Sequence, residues 1–280
     1  MRKLLLLGCV ILCFNCDYGN LIVVADLPKT LKEVSGMAFD PSTKLFWMVN
    51  DGGNSAKLYG VSLEGEIKEE LKIDAKNHDW EDLTMDTEGN VYIADFGNNE
   101  NSRTNLKVLK VAKKELSEKK AEVEEIEFSY PNQKKFPPKK TAYYFDAESL
   151  FYWKNSLYIF TKSRVKDKYG TTYLYKIPAQ KGEYIAQFIG EFNAGSPKKN
   201  WITSAAISPD QQKMVLLTNE SVWIFTNFKD DDFFSGKASK VSLGFVSQKE
   251  SICFSDNYTL FIADERDNGN GGNLYSLKIN

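Results

Sequence analysis

Five segments of the chain share one pattern of polar and hydrophobic positions. In each, a polar residue precedes a short apolar strand, and a turn connects that strand to a second strand rich in aromatic residues. The segments begin 46, 67, 55 and 47 residues apart, about the length of one four-stranded blade of a β-propeller. They are 35–39, 81–85, 148–152, 203–207 and 250–254. The pattern predicts an all-β fold, a five-bladed β-propeller.

The two ends of the chain are predicted to share one blade. The first four repeats are followed by third strands and weaker fourth strands, but the fifth repeat reaches Asn280 without a fourth strand. The apolar segment 21–25 can supply it, which removes an open sheet edge. The predicted domain is a single propeller over 17–280. Six blades are the second choice, but the extra blade would have to lie within 112–145, a charged segment typical of a solvated insertion.

Composition and charge agree with one folded body. Apolar residues make up 42% of the chain and aromatic residues 13%, enough for a sizeable core. The 36 basic and 38 acidic residues nearly balance, which argues against a protein that binds nucleic acid through phosphate contacts. A single histidine argues against a zinc site, and the one CxxC pair, Cys13 and Cys16, falls within the N-terminal apolar stretch and its end. We expect a monomer with no nucleic-acid partner.

The N-terminus resembles a bacterial lipoprotein signal. A basic head at 1–3 precedes the apolar stretch 4–14, and Cys16 follows. The resemblance implies that 1–16 is a lipoprotein-type signal peptide whose cysteine becomes lipidated. The protein would then be held at the cell envelope, with the lipid anchor as its only membrane contact. Ordinary secretion, which would give a secreted or periplasmic protein, and a retained anchor are the alternatives.

Equivalent positions of the five blades are expected to converge on the propeller axis, and the residues there are mostly acidic. The first residues of the repeats are Ser35, Glu81, Glu148, Thr203 and Glu250. At about 5 Å and an effective dielectric near 20, each pair of like charges costs roughly 3 kcal/mol. Such a cluster has to take up protons, pair with cations or bind a metal ion. Because every donor is an oxygen, Ca²⁺ is favoured before Mg²⁺. The alternative is that the glutamates bond to backbone amides of neighbouring blades.

The order of these ring residues is similar to that of the calcium-activated nucleotidases (apyrases). The resemblance implies one axial Ca²⁺ at Ser35, Glu81, Glu148 and Glu250, with Thr203 or Ser204 in place of a serine. Most of the mature chain also looks like uncharacterised bacterial envelope propellers, a likeness that brings no known chemistry. The residues that carry it are WEDL at 80–83, DAESL at 146–150 and QKESI at 248–252.

Cationic side chains are predicted on the face where the first strands begin. Three of the four arginines fall in loops between second and third strands, and Lys162 begins one of these loops. A guanidinium fork suits carboxylate or phosphate, so these residues are candidates for binding an anionic small molecule or a glycan. The alternative is that each arginine braces its own loop through a nearby aspartate. The three are Arg103, Arg164 and Arg266.

Aromatic and titratable residues on the same face complete the candidate site. Trp80 and Trp201 would wall the site and stack on a ligand, or else pack between blades. The catalytic candidates are the only imidazole, for which a plain surface role is the alternative, and three carboxylates that could orient water. They are His78, Asp51, Asp79 and Asp95.

These observations predict a cell-envelope propeller lipoprotein that binds an anionic ligand beside an axial Ca²⁺. The second hypothesis is a Ca²⁺-dependent hydrolase of phosphoesters or phosphoanhydrides, similar to the nucleotidases, in which the ion polarises the phosphate. A hub that binds other proteins through its faces is a third. Propellers host many unrelated activities, so the fold alone does not decide among them.

Overall fold

The structure is a computed structural model that describes residues 18–280. The predicted signal peptide, including Cys16, lies outside the described residues. Strands account for 51% of the described residues and helices for 6%. In the described part of the chain, no helix is long and apolar enough to cross a membrane.

Five sheets form the blades of an all-β, five-bladed propeller, as the sequence predicts. Blade 1 contains β2 (Val34–Asp40), β3 (Leu45–Asn50), β4 (Lys57–Val61) and β5 (Ile67–Ile73). Blade 2 contains β6 (Trp80–Met85), β7 (Val91–Asp95), β8 (Leu106–Val111) and β10 (Glu124–Ser129). Blade 3 contains β11 (Asp146–Trp153), β12 (Ser156–Lys162), β13 (Thr171–Pro178) and β15 (Gln187–Asn193).

The last two blades complete the ring. Blade 4 contains β16 (Ser204–Ile207), β17 (Lys213–Leu217), β18 (Ser221–Thr226) and β19 (Lys237–Ser242). Blade 5 contains β20 (Lys249–Phe254), β21 (Thr259–Asp264), β24 (Asn273–Lys278) and the N-terminal strand β1 (Ile22–Asp26). The antiparallel ladder between β1 and β24 runs from Ile22 opposite Ser276 to Asp26 opposite Asn273. The predicted closure of the last blade by the N-terminal strand is confirmed.

Two short strands pair with blades other than the one that their sequence position suggests. Strand β9 (Lys120–Ala121), from the charged insertion, runs parallel to β5 of blade 1. Strand β14 (Gly182–Ile185) runs parallel to β10 of blade 2. The sequence predicts one continuous fourth strand over 184–192, but the structure divides it at the buried Ala186, which lies between β14 and β15. Each short strand therefore ties a blade to a neighbouring one.

The smaller elements lie in the loops. A two-stranded hairpin of β22 (Arg266–Asp267) and β23 (Asn270–Gly271) projects between β21 and β24. The 3₁₀ helices are Lys29–Leu31, Lys113–Ser117, Lys140–Ala142, Lys198–Asn200 and Phe233–Ser235.

The hydrophobic core is divided among the contacts between blades. Five clusters of buried side chains correspond to the five interfaces of the ring. Trp80, for example, is fully buried between blades 1 and 2, and Phe233 packs edge-on against Trp153 between blades 3 and 4. Because each sheet packs against a neighbour on both faces, its inner strands, such as β7 and β17, are apolar on both sides. This ring leaves two faces: the ring face, where first strands begin, and the far face, where first strands turn into second strands.

Candidate functional site

β-Bulges in the first strands orient the side chains of the predicted ring residues. In four blades the first strand carries a β-bulge, and the extra residue of that bulge is the predicted ring residue. A bulge locally twists a strand and re-aims the side chain that it leaves without a partner. In blade 4 the strand begins one residue after Thr203. The four bulged residues are Ser35, Glu81, Glu148 and Glu250.

The two hydroxyl residues of the ring connect neighbouring blades. The Ser35 hydroxyl donates a hydrogen bond of 2.7 Å to the carbonyl of Trp80 in blade 2. The Thr203 hydroxyl donates one of 2.6 Å to the carbonyl of Lys249 in blade 5. In both cases the acceptor directly precedes the ring glutamate of the next blade, so the hydroxyl fixes the backbone from which that glutamate extends.

The three ring glutamates line one cavity at the centre of the ring face. This central cavity has a volume of about 200 Å³. Lys162 and Arg164 form part of its wall, so the cavity is acidic on one side and basic on the other. Its carboxylates are Asp51, Glu81, Glu148, Glu250 and Glu265.

Glu148 is already neutralised by the basic wall. Lys162 Nζ lies 2.9 Å from one carboxylate oxygen of Glu148, and Arg164 Nη2 lies 3.3 Å from the other. Arg164 Nε also donates to the buried Asp146 at 2.6 Å. Burial raises the pKa of Asp146 to about 7, and Glu148 adds to the rise. Burial alone would lower the pKa of Lys162, but Glu148 and Glu250 outweigh it and raise that pKa.

Two carboxylates of the cavity wall, Asp51 and Glu81, form a cluster with Asp79, which lies beside the cavity. One oxygen each from Asp51, Asp79 and Glu81 lie within 4.8 Å of one another. Burial raises the pKa of Asp51 to about 6, and that of Glu81 well above its usual value, with Glu148 adding to the second. Among the described residues, no side chain or amide donates a hydrogen bond to the carboxylates of Asp79 or Glu81. When these carboxylates are ionised, the cluster therefore carries negative charge that no directly paired cation among the described residues balances.

Two glycines make this close approach of carboxylates possible. A Cβ at Gly97 would overlap both Oε1 of Glu81 and Oδ2 of Asp79. A Cβ at Gly52 would lie 2.5 Å from the other Asp79 oxygen. Both glycines stand in loops that follow second strands, in blades 2 and 1. Their missing side chains leave the space in which the carboxylates meet.

Glu250 and Glu265 add further negative charge to the cavity. Burial raises the pKa of each to about 7. Gln248 donates a hydrogen bond of 2.9 Å to Glu265. Glu265 lies at the base of the hairpin between β21 and β24, and the sequence analysis did not select it.

The raised pKa values predict how stability depends on pH when no cation is present. Asp51, Glu250 and Glu265 bind protons more tightly in the folded chain, with pKa values of about 6 to 7, than in the unfolded chain, with values near 4. Their contribution to stability is complete below the unfolded pKa and is lost as pH rises through 6 to 7. We expect the free energy of unfolding, measured by urea titration in EDTA, to fall between about pH 5 and 7.5.

A substitution isolates this effect. Glu250→Gln should flatten the pH dependence because it removes one of the titrating groups. A free energy of unfolding that rises through the same pH range, in both proteins, would contradict the prediction.

The candidate base His78 is paired with a buried carboxylate. Its Nδ1 lies 2.9 Å from Oδ2 of Asp95, and the imidazole side chain is 42% exposed. Arg103 contacts the other Asp95 oxygen at 3.0 Å and donates to the carbonyl of Gly97 at 2.8 Å. Arg103 therefore braces the loop 95–105, which is the alternative that the sequence left open.

The other two arginines have different positions. Arg266 contacts Asp26 and donates to the carbonyls of Leu27 at 2.7 Å and Gly272 at 3.1 Å. It joins the hairpin to the end of β1 rather than lining the central cavity. Arg164 is the arginine that lines the cavity.

The two predicted tryptophans also differ. Trp80 is fully buried and packs between blades. Trp201 is half-buried, and its Nε1 donates to the carbonyl of Ser163 at 2.7 Å. The cationic groups that lie 5.2 Å from the Trp201 ring centroid are those of Lys162, Arg164 and Lys198. Trp201 thus supports the basic wall by cation–π contact.

The fold resembles solved propellers at low sequence identity. A PQQ-bound aldose sugar dehydrogenase from Streptomyces coelicolor superposes with a TM-score of 0.52 and 10% identity, over 93% of this chain and 98% of that one. Cps50 (Swd1) from Myceliophteria thermophila has a β-propeller domain with a TM-score of 0.45 and 10% identity, covering 89% and 97%. A virginiamycin B lyase from Staphylococcus aureus gives 0.44 and 12%, covering 91% and 69%. These likenesses concern the fold alone.

Sequence comparison gives the family. No protein of curated function matches the chain. The family described as SdiA-regulated matches residues 14–171, more than half of the chain and all of blades 1 and 2. The chain therefore belongs to the SdiA-regulated family.

Proposed function

We propose that the protein is an envelope-attached binding propeller whose central cavity holds a divalent cation and an anionic ligand together. The cation would lie at Asp51, Asp79 and Glu81, with Glu250 facing it across the cavity. The ligand's anionic group would reach from the cation to Arg164. The lipid on Cys16 belongs to the same proposal, as the means of attachment.

The unbalanced carboxylate cluster is the observation that carries the proposal. At 4.8 Å and an effective dielectric near 20, each pair of charges among Asp51, Asp79 and Glu81 costs about 3 kcal/mol. A cation removes this cost without protonation. The donors are all oxygen, as Ca²⁺ prefers, and carboxylates from three loops or strands suit its flexible geometry. The resemblance of the ring to that of the calcium-activated nucleotidases points to the same ion.

The basic wall supports the anionic half of the proposal. The charge of Lys162 is balanced by Glu148. Arg164 also lines the cavity, and its Nη2 lies beside Glu148 and Asn99. A guanidinium can bind a second anion beside the first because it has five donors in a planar fork. A phosphate or carboxylate between the cation and Arg164 would balance both walls.

Calcium is expected to stabilise the protein through this cluster. In thermal unfolding at pH 7.5, millimolar Ca²⁺ should raise the melting temperature of the purified mature protein, and Mg²⁺ should raise it less. Glu81→Gln should remove most of the calcium-dependent rise because it deletes one of the three donors. Glu127→Gln, at an exposed position of β10, is the matched control and should keep the full rise.

Two outcomes would count against the proposal. An equal rise in all three proteins would place the ion elsewhere, and no rise in any of them would remove the cation from the site. Phosphate release from nucleoside di- and triphosphates, measured on the same samples, separates binding from hydrolysis. Release that depends on both Ca²⁺ and His78 would replace the binding function by the hydrolase hypothesis.

A further inference from the structure

A layer of buried polar residues crosses the propeller axis next to the ring residues. It consists of the residues that directly follow the ring residues in the five first strands. Serine and aspartate are seldom fully buried, yet the four side chains of this layer are at most 1% exposed. We call this set the axial layer, and its members are Gly36, Asp82, Ser149, Ser204 and Ser251.

The axial layer lies between two cavities. The ring residues that precede it line the acidic central cavity. The residues that follow it, including Met37, Leu83 and Ile252, line an apolar cavity of about 130 Å³ on the far-face side. A cation attracted by the carboxylates of the central cavity is therefore already beside the layer.

Two members of the layer meet across the axis. The Ser204 hydroxyl of blade 4 donates a hydrogen bond of 3.1 Å to Oδ2 of Asp82 in blade 2. Blades 2 and 4 are not neighbours in the ring, so side chains at this level reach the centre. Asp82 also accepts hydrogen bonds from the amides of Leu83 at 2.8 Å and Leu150 at 3.1 Å. These donors are neutral, and no described cationic side chain lies within 4.0 Å of the Asp82 carboxylate.

The other two serines of the layer have hydroxyls without a hydrogen-bond partner among the described residues. Ser149 and Ser251 are both 0% exposed, and neither Oγ makes a hydrogen bond. Both stand at the same place in the strand ladder as Asp82, directly after the bulge of their blade. The equivalent position brings their side chains to the level of the axis that Asp82 occupies. A buried hydroxyl without a partner is costly, so two of them beside a buried carboxylate indicate a shared ligand.

We propose that the axial layer binds one sodium ion through the carboxylate of Asp82 and the hydroxyls of Ser149 and Ser251. Every donor is an oxygen, which a hard cation prefers. A carboxylate has about four lone-pair sites, and the three hydrogen bonds to Asp82 leave one for the ion. Ser204 orients Asp82 through its hydrogen bond.

The charge and the spacing of the layer select the ion. One carboxylate balances one positive charge, so a monovalent ion leaves this buried site neutral, whereas a divalent ion would leave it positively charged. Asp82 and Ser204, from blades that are not neighbours, already approach to 3.1 Å, which favours Na⁺ over the larger K⁺. The site is independent of the divalent cation proposed for the central cavity.

Thermal unfolding of the purified protein in the chlorides of sodium, potassium and choline, at equal ionic strength, tests the ion. EDTA in every sample removes divalent cations, so the result does not depend on the calcium site. Sodium at about ten times its dissociation constant should lower the equilibrium constant for unfolding about tenfold. The melting temperature should then be about 3–6 °C higher than in choline, and potassium should raise it less. Equal melting temperatures in sodium and choline, or a larger rise with potassium, would overturn the proposal.

Removal of the unpartnered hydroxyls distinguishes a bound ion from a group that is merely unsatisfied. If no ion binds, Ser149→Ala and Ser251→Ala delete a costly buried polar group, so neither variant should be less stable than the wild type in any of the salts. If sodium binds, each variant should lose most of the sodium-dependent rise because it loses a ligand. A full rise in both variants would contradict the site.

A matched control comes from a buried hydroxyl away from the axis. Thr172 in β13 is 0% exposed, and its Oγ1 also lacks a hydrogen-bond partner among the described residues. Thr172→Val should therefore keep the full sodium-dependent rise, and loss of the rise in this variant would contradict an axial position of the ion.

Two further variants separate the axial layer from the central cavity. Asp82→Asn should abolish the preference for sodium over choline, and circular dichroism shows whether it folds; the serine variants provide the test if it does not. Glu81→Gln should keep the sodium-dependent rise in EDTA. Loss of the rise in Glu81→Gln, with a full rise in both serine variants, would place the ion in the central cavity and overturn the proposal.

Discussion

Replacing Lys162 by methionine is expected to lower the free energy of unfolding by about 3–5 kcal/mol. Lys162 and Glu148 form an ion pair of 2.9 Å whose side chains are 11% and 4% exposed. Methionine keeps most of the aliphatic length but leaves the Glu148 carboxylate with Arg164 as its remaining cation. An uncompensated buried charge is costly because the surroundings cannot solvate it as water does. Urea denaturation at pH 7.5 measures the loss.

The double variant Lys162→Met with Glu148→Gln separates charge from packing. If the loss comes from the unpaired charge, the second change should restore most of the stability. Lys166→Met, at an exposed position in the same loop, is the matched control and should change stability by less than about 0.5 kcal/mol. A loss below about 1 kcal/mol in Lys162→Met would show that the pair contributes no more than a surface ion pair.

Removing β1, the strand that closes blade 5, should destabilise the protein as much as Lys162→Met or more. A chain that begins at Leu27 lacks β1, so blade 5 loses its outer strand, the buried Leu21 and Ala25, and the partner of Arg266 at Asp26. The lost burial and ladder bonds amount to about 5 kcal/mol. For a chain of this size, the melting temperature should fall by about 10–20 °C relative to a chain that begins at Tyr18.

The exposed edge gives this prediction a second readout. The unpaired edge of β24 is a template for other strands, so light scattering should show association of the shortened chain. A synthetic peptide of residues 18–26 should restore the melting temperature by pairing with that edge. Ile22→Ser, which changes a side chain 67% exposed and leaves the ladder in place, is the control. An unchanged melting temperature in the shortened chain would contradict a stabilising role for the closure.

The repeat predicted the blades because each first strand begins with the same polar-to-apolar step. That step also marks where each first strand begins near the axis, so the sequence predicts that Glu81, Glu148 and Glu250 converge at the centre of the ring. Bulges were not predicted, since an extra residue disturbs pairing but hardly alters a short hydrophobic pattern. The split of 184–192 was missed for a similar reason: one small buried alanine separates two strands that both alternate.

Which residues meet in the site depends on contacts that cannot be inferred from their spacing in the sequence. Asp51 and Asp79 were selected for catalysis, and their approach to Glu81 follows from the packing of blades 1 and 2 against two glycines. The ion pair between Lys162 and Glu148 was not predicted from the sequence either. Equivalent ring positions look alike in the sequence, but their surroundings differ. Glu148 pairs with Lys162 of its own blade, whereas Glu81 lies beside Asp51 and Asp79. The partners of Arg103 and Arg266 likewise depend on loop conformation.

The segment around β1 holds the start of the described chain against two blades. The strand runs from Ile22, opposite Ser276 in the middle of β24, to Asp26, opposite Asn273 at the ring face. Before the strand, Asn20 donates hydrogen bonds to the carbonyls of Ser242 and Leu243, at the ring-face end of blade 4. Tyr18 packs against Phe245, which follows β19, and against Tyr275 of β24, so a force applied to the start of the described chain would be shared by blades 4 and 5.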